Sequence, residues 1–140
     1  MIPRSGLERG LPAFFAVAAC SWMPHWSCHY YRLETGTTFV VGSWEFSPPV
    51  SVAHLLLYSG LIGLSVTAVV VPGVRSLSAL LSGLLHLAIG AVHLVRLVHP
   101  FRFEVIGWPW PLGASLREVS LVIGFGLACL AVAWRTGRAA

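Results

Sequence analysis

The stretch Gly83–Pro100, GLLHLAIGAVHLVRLVHP, sets three histidines and an arginine into an otherwise aliphatic run. His86 and His93 are seven residues apart, so a helix carries them on one face about 10.5 Å apart along its axis. His54 lies in a second apolar run before the breakers Pro72 and Gly73. Counted from a turn at Val74, His54 and His93 rise about 30 and 28 Å and reach the same depth. Paired imidazoles at one depth suit axial ligation of a b-type haem or a (bacterio)chlorophyll, within a bundle whose facing helices supply inward side chains. His54, His93 and the deeper His86 are therefore the candidate cofactor ligands. Their alternative reading is interfacial or interhelical hydrogen bonding. Arg96, one turn beyond His93, is expected to snorkel outward as an anchor.

A second cluster is CSWMPHWSCHYY, residues 20–31. On a helix that continues past Pro24, His25 and His29 form an i, i+4 pair with Cys28 beside them. Such soft and borderline ligands suit copper or zinc, with Met23 close by and His99 able to join from the end of the third helix. His25, Cys28 and His29 are the candidate metal ligands of a rival reading, a copper-handling protein open to the outer face. The spacing matches no structural zinc pattern, and WSCH lacks the first cysteine of a c-type haem attachment. The three cysteines form no disulfide framework.

The elements that must hold these residues are membrane helices. The chain is 56% hydrophobic and 10% charged, with a mean hydropathy of +0.79, far from the about 25% charge of soluble domains. Four runs of nearly the required length, about 20 residues, fall at 11–30, 52–71, 77–98 and 117–134. The expected fold is a single all-α domain over residues 1–140, four transmembrane helices in an up-down bundle. Its aromatic outer loops, TTFVVGSWEF and FRFEVIGWPWP, alternate with period two and predict a small strand-like cap. Arg4, Arg9, Arg75, Arg135 and Arg138 gather at one end, which predicts cytoplasmic termini, as in a bacterial inner membrane. The first helix has no clear cleavage site after its apolar run and reads as retained. The glycines of the helices read as packing faces. The sequence shows no internal repeat.

The net charge of +4 forms no basic stripe, which excludes nucleic acid as a partner. Asp is absent, and no P-loop or dinucleotide fingerprint occurs. The chain thus reads as a small non-catalytic subunit of a larger energy-transducing assembly, respiratory or photosynthetic, with lipid and other membrane subunits as partners. A redox enzyme with a quinone near His86 is a third reading.

Overall fold

The computed structural model describes residues 6–138. Four helices alternate with two β-hairpins: α1 (Gly6–Thr35), β1 (Val40–Val41), β2 (Trp44–Glu45), α2 (Pro48–Val70), α3 (Arg75–Val98), β3 (Phe103–Val105), β4 (Trp108–Pro109) and α4 (Leu112–Gly137). A 3-10 turn, Pro72–Val74, joins α2 to α3. α2, α4 and the segment Pro72–Val98 are each long and apolar enough to cross a membrane. The remaining long helix, α1, stands at the N-terminal end and packs along α2. Arg4 of the orientation argument lies outside the described residues.

Local chemistry explains the boundaries. Pro48 and Pro49 open α2 at positions where a missing N–H costs nothing. Pro24 lies inside α1 without ending it, so His25 and His29 do share a continuous helix. The two hairpin turns need left-handed backbone: Gly42 has φ 65°, and Ile106 and Gly107 have φ 50° and 80°. Both residues at positive φ make the second turn the primed type that matches the strand twist.

Large aliphatic side chains cover the outside, and small hydroxyls share the inside with apolar clusters around Phe15 and Trp22. Ser51, Ser65, Ser82 and Ser115 are fully buried, while Leu56 is 71% and Val70 75% exposed. Small polar residues inside and large aliphatic ones outside are what lipid as solvent demands. Ser65 and Ser78 bond across α2 and α3 at 3.2 Å. Gly83 and Gly126 let α3 and α4 touch: a Cβ on Gly83 would stand 3.0 Å from the Gly126 carbonyl. Gly60, Gly63 and Gly124 meet open space instead, so only some of the glycines mark packing faces.

The expectation of no repeat is corrected. The chain is built twice on one plan, helix–hairpin–helix, at an offset of 64 residues. His29, Arg32, Phe39, Val41, Trp44 and Ser51 recur as His93, Arg96, Phe103, Val105, Trp108 and Ser115. The four strands form one sheet in the order β2-β1-β3-β4. At its centre β1 and β3 are antiparallel, with Val40 opposite Glu104, themselves equivalent positions. That register is the mark of a pseudo-two-fold axis through the sheet and down between the halves. Helices pair tightly within each half, α1 with α2 and α3 with α4, and more loosely between halves. The predicted hairpin of α2 and α3 exists, but it is the lesser contact of each.

Candidate functional site

Each half closes its outer end with the same hydrogen-bonded clamp. In the first, Arg32 donates to Ser51 Oγ (3.1 Å) and to the Phe46 carbonyl, and Ser51 Oγ lies 3.3 Å from His29 Nδ1. In the second, Arg96 donates to Ser115 Oγ (2.7 Å) and to the carbonyls of Phe101 and Trp110, and Ser115 Oγ lies 3.2 Å from His93 Nδ1. Each clamp binds the helix end, the hairpin strand and the following helix into one unit. Arg96 is 6% exposed, with its guanidinium 5.3 Å from the Phe103 ring. The expectation of a snorkelling anchor is therefore corrected: carbonyls and a hydroxyl already satisfy Arg96 in the interior, so it has no reason to reach water.

The clamps fix the histidine tautomers. Ser51 and Ser115 are fully buried, and each Oγ accepts from an arginine. Their own hydroxyl hydrogens have one acceptor within reach, the Nδ1 of His29 or His93. A buried hydroxyl hydrogen left unpaired costs about 1–3 kcal/mol, so both rings accept at Nδ1 and carry the proton on Nε2. His54 and His86 are the opposite. Their Nδ1 atoms lie 2.8 and 2.7 Å from the carbonyls of Val50 and Ser82. A carbonyl only accepts, so Nδ1 holds the proton and Nε2 a free lone pair. Among the described residues none of these four Nε2 atoms has a hydrogen-bond partner.

Below the sheet the looser packing between halves leaves a cavity of about 720 Å³. His25, His29, His54, His86 and His93 all line it, with Cys28, Tyr58, Trp110 and Glu118. Aromatic contacts run down one wall. His29 stacks on Phe39 (5.1 Å between centroids) and on His54 (4.7 Å). Tyr58 lies within 5.9 Å of His25, His29 and His54. Trp22 bonds Ser82 and packs 4.0 Å from His86. On the other wall His93 packs on Phe103 at 5.1 Å, the distance of the equivalent pair. The Trp110 indole N–H is buried without a partner.

All six expected site residues thus border one space, with the cofactor and metal candidates together. His93 lines the same space with its Nδ1 turned to the Ser115 hydroxyl, 3.2 Å away. His99 caps the end of α3, exposed and away from the cavity lining. Among the described residues no group of three or more His, Cys, Asp or Glu side chains could hold a metal ion. Residues not singled out from sequence are Arg32, Ser51, Ser115, Tyr58 and Glu118. The 64-residue recurrence of His-x-x-Arg followed by Ser was the available signal for the first three.

Equivalent positions that differ are informative. His25, Cys28, His54 and Tyr58 in the first half are answered by Ile89, Val92, Glu118 and Val122 in the second. Positions 54 and 118 both place a hydrogen-bond acceptor on the cavity wall, an imidazole and a carboxyl that also lies 3.5 Å from Arg117. Each half therefore offers an N–H donor, His29 or His93, and a proton acceptor, His54 or Glu118. No protein-family model, curated protein or solved structure matches the chain.

Proposed function

We propose that the chain is a small integral membrane subunit of an energy-transducing assembly, crossing the bilayer four times with cytoplasmic termini, and that its cavity holds a lipid-soluble p-quinone. The observation that carries this reading is that the clamp histidines of both halves, His29 and His93, line the one cavity with Nδ1 turned to a serine hydroxyl, which leaves Nε2–H as the group each can offer a ligand. A p-quinone has like oxygens at opposite ends of a flat ring, so one donor serves each. In the reduced form each oxygen must donate, and the groups at positions 54 and 118 can accept. The aromatic and aliphatic remainder of the wall matches a flat apolar ligand, and the volume falls within the 300–1,000 Å³ of ligand pockets. The subunit binds and positions; electrons pass to and from neighbouring polypeptides.

A tetrapyrrole is the second reading, favoured by one observation. The Nε2 lone pairs of His54 and His86 are backed by Nδ1–H bonds to carbonyls, the arrangement that orients metal-ligating histidines.

Titration of the purified full chain with a short-chain p-quinone, read by tryptophan fluorescence and calorimetry, tests the proposal. Saturable binding is expected. His93→Phe should weaken it about threefold to tenfold, the worth of one neutral hydrogen bond, and His93→Gln, which keeps an N–H, should recover part. Absence of saturable binding, or indifference to both His29→Phe and His93→Phe in folded protein, overturns it. A Soret or chlorophyll band lost in His86→Ala would establish the tetrapyrrole instead.

A further inference from the structure

A second, wholly apolar groove of about 310 Å³ lies between α2 and α3, lined by Leu57, Leu61, Leu81, Leu84, Leu85 and Ala88. Leu57, Leu85 and Ala88 also wall the histidine cavity, so the two spaces lie side by side with these three side chains between them, and on its other side the groove meets the surface, where Leu84 is 53% exposed. The repeat asks whether the opposite gap, between α1 and α4, carries a twin. There Phe125 occupies the position of Leu61 and stacks on Phe14 at 5.8 Å. Cys20 and Ser21 stand where the first gap has Leu84 and Leu85. Of two equivalent gaps, one is lined wholly by aliphatic side chains, and the other is crossed by an aromatic pair beside a thiol and a hydroxyl.

We infer that this groove is the hydrocarbon-tail subsite and lateral entrance for the cavity's ligand, which is therefore a lipid-borne molecule with a polar ring at one end and a long polyprenyl or alkyl tail. The inference rests on the quinone reading and adds to it a direction: the ring turns toward His29, His54 and His93, and the tail leaves between α2 and α3. The broken symmetry gives one end of a near-symmetric head a fixed exit. Entry from the bilayer needs no opening of the sheet, whose clamps tie it to all the outer helix ends.

The test uses the full chain in lipid nanodiscs and a p-quinone whose alkyl tail carries a photoreactive diazirine. Labelling should map to Leu81, Leu84 and Ala88 and be competed away by the unmodified tailed quinone. Leu81→Trp and Leu84→Trp, at groove positions that do not border the histidine cavity, should each cut the competed labelling about tenfold while a tailless quinone binds them as it binds the parent chain. Cys20→Trp, at the position equivalent to Leu84, should change nothing. Labelling that competitor does not reduce, or that spreads equally over α1 and α4, means the groove holds ordinary lipid and overturns the tail subsite, with the headgroup reading intact. Failure of both tailed and tailless quinones to bind removes the headgroup reading and this one with it.

Discussion

Replacing Ser115 by alanine removes one oxygen from the second clamp and should affect far more than its size implies. The hydroxyl is fully buried, accepts from Arg96 at 2.7 Å and faces His93 Nδ1 at 3.2 Å. Its loss leaves one guanidinium N–H and one imidazole nitrogen unpaired where water is scarce. A hydrogen bond to a charged group is worth about 1.5–3 kcal/mol and one between neutral groups about 0.5–1.5 kcal/mol. Arg96 keeps its carbonyl partners, Phe101 and Trp110, which holds the total to about 2–4 kcal/mol by those figures. Ser120→Ala is the control, since that exposed hydroxyl only back-bonds to the Leu116 carbonyl on its own helix and should cost under about 0.5 kcal/mol. Reversible unfolding in mild detergent compares the two. The same variant tests the tautomer: ¹⁵N spectra of histidine-labelled protein should show His93 protonated at Nε2 in the parent and released from that form in Ser115→Ala. Equal stability of the two alanine variants, or a parent His93 protonated at Nδ1, refutes the clamp argument and removes the donor on which the quinone reading stands.

Three further outcomes follow from the same geometry. Ile106, a β-branched residue at φ 50°, sits where L-residues lose about 1–2 kcal/mol; Ile106→Asn, making an Asn-Gly turn, should raise stability by about 1 kcal/mol in the same unfolding assay. Gly90→Ala would place a Cβ 2.6 Å from Ile123 Cγ1, so α3 and α4 must part locally; a loss of about 1–3 kcal/mol is expected. Thr38 and Arg102, bonding the two oxygens of Glu104 at 2.8 Å, hold its carboxyl below the ordinary value of 4.5. The folded value lies below the unfolded one, so the stabilisation is complete above about pH 4.5 and fades as pH falls toward the folded value. Glu104→Gln should flatten that acid limb when sheet unfolding is followed against pH.

The bilayer address was legible because aliphatic runs of fixed length leave few alternatives, and the cap was legible from the period-two alternation around Phe103 and Val105. The clamps were not. Arg96 read as an anchor because a lone arginine near a helix end usually reaches water, and only the fold supplies the Trp110 and Phe101 carbonyls that hold it. The repeat escaped because the helices are aliphatic throughout, so their register is featureless; its markers are a few residues such as Trp44 and Trp108, too sparse to align without the sheet. Depth reasoning from the α2–α3 turn set His54 and His93 at one depth; that both wall one cavity came from the fold, as did the tautomers, which depend on whether Nδ1 meets a hydroxyl or a carbonyl.

The pattern of sameness and difference between the halves separates what holds the fold from what gives the cavity wall its chemistry. Arg, Ser, the clamp His and the strand Phe recur because each half must solve the same problem, closing a helix pair under a strand without water. Nothing in that problem demands His25, Tyr58 or Cys28, and their counterparts Ile89, Val122 and Val92 meet the packing requirement without them. Polar groups facing a cavity in lipid are costly unless something there bonds to them. On the quinone proposal, a wall that is polar on one side and aliphatic at the equivalent positions on the other offers the ligand unlike faces on a scaffold with like ones. Exchanging Tyr58 for valine and Val122 for tyrosine together would leave the clamps untouched, so a ligand that chooses its orientation from the wall should turn over, while one held by the clamps alone should not.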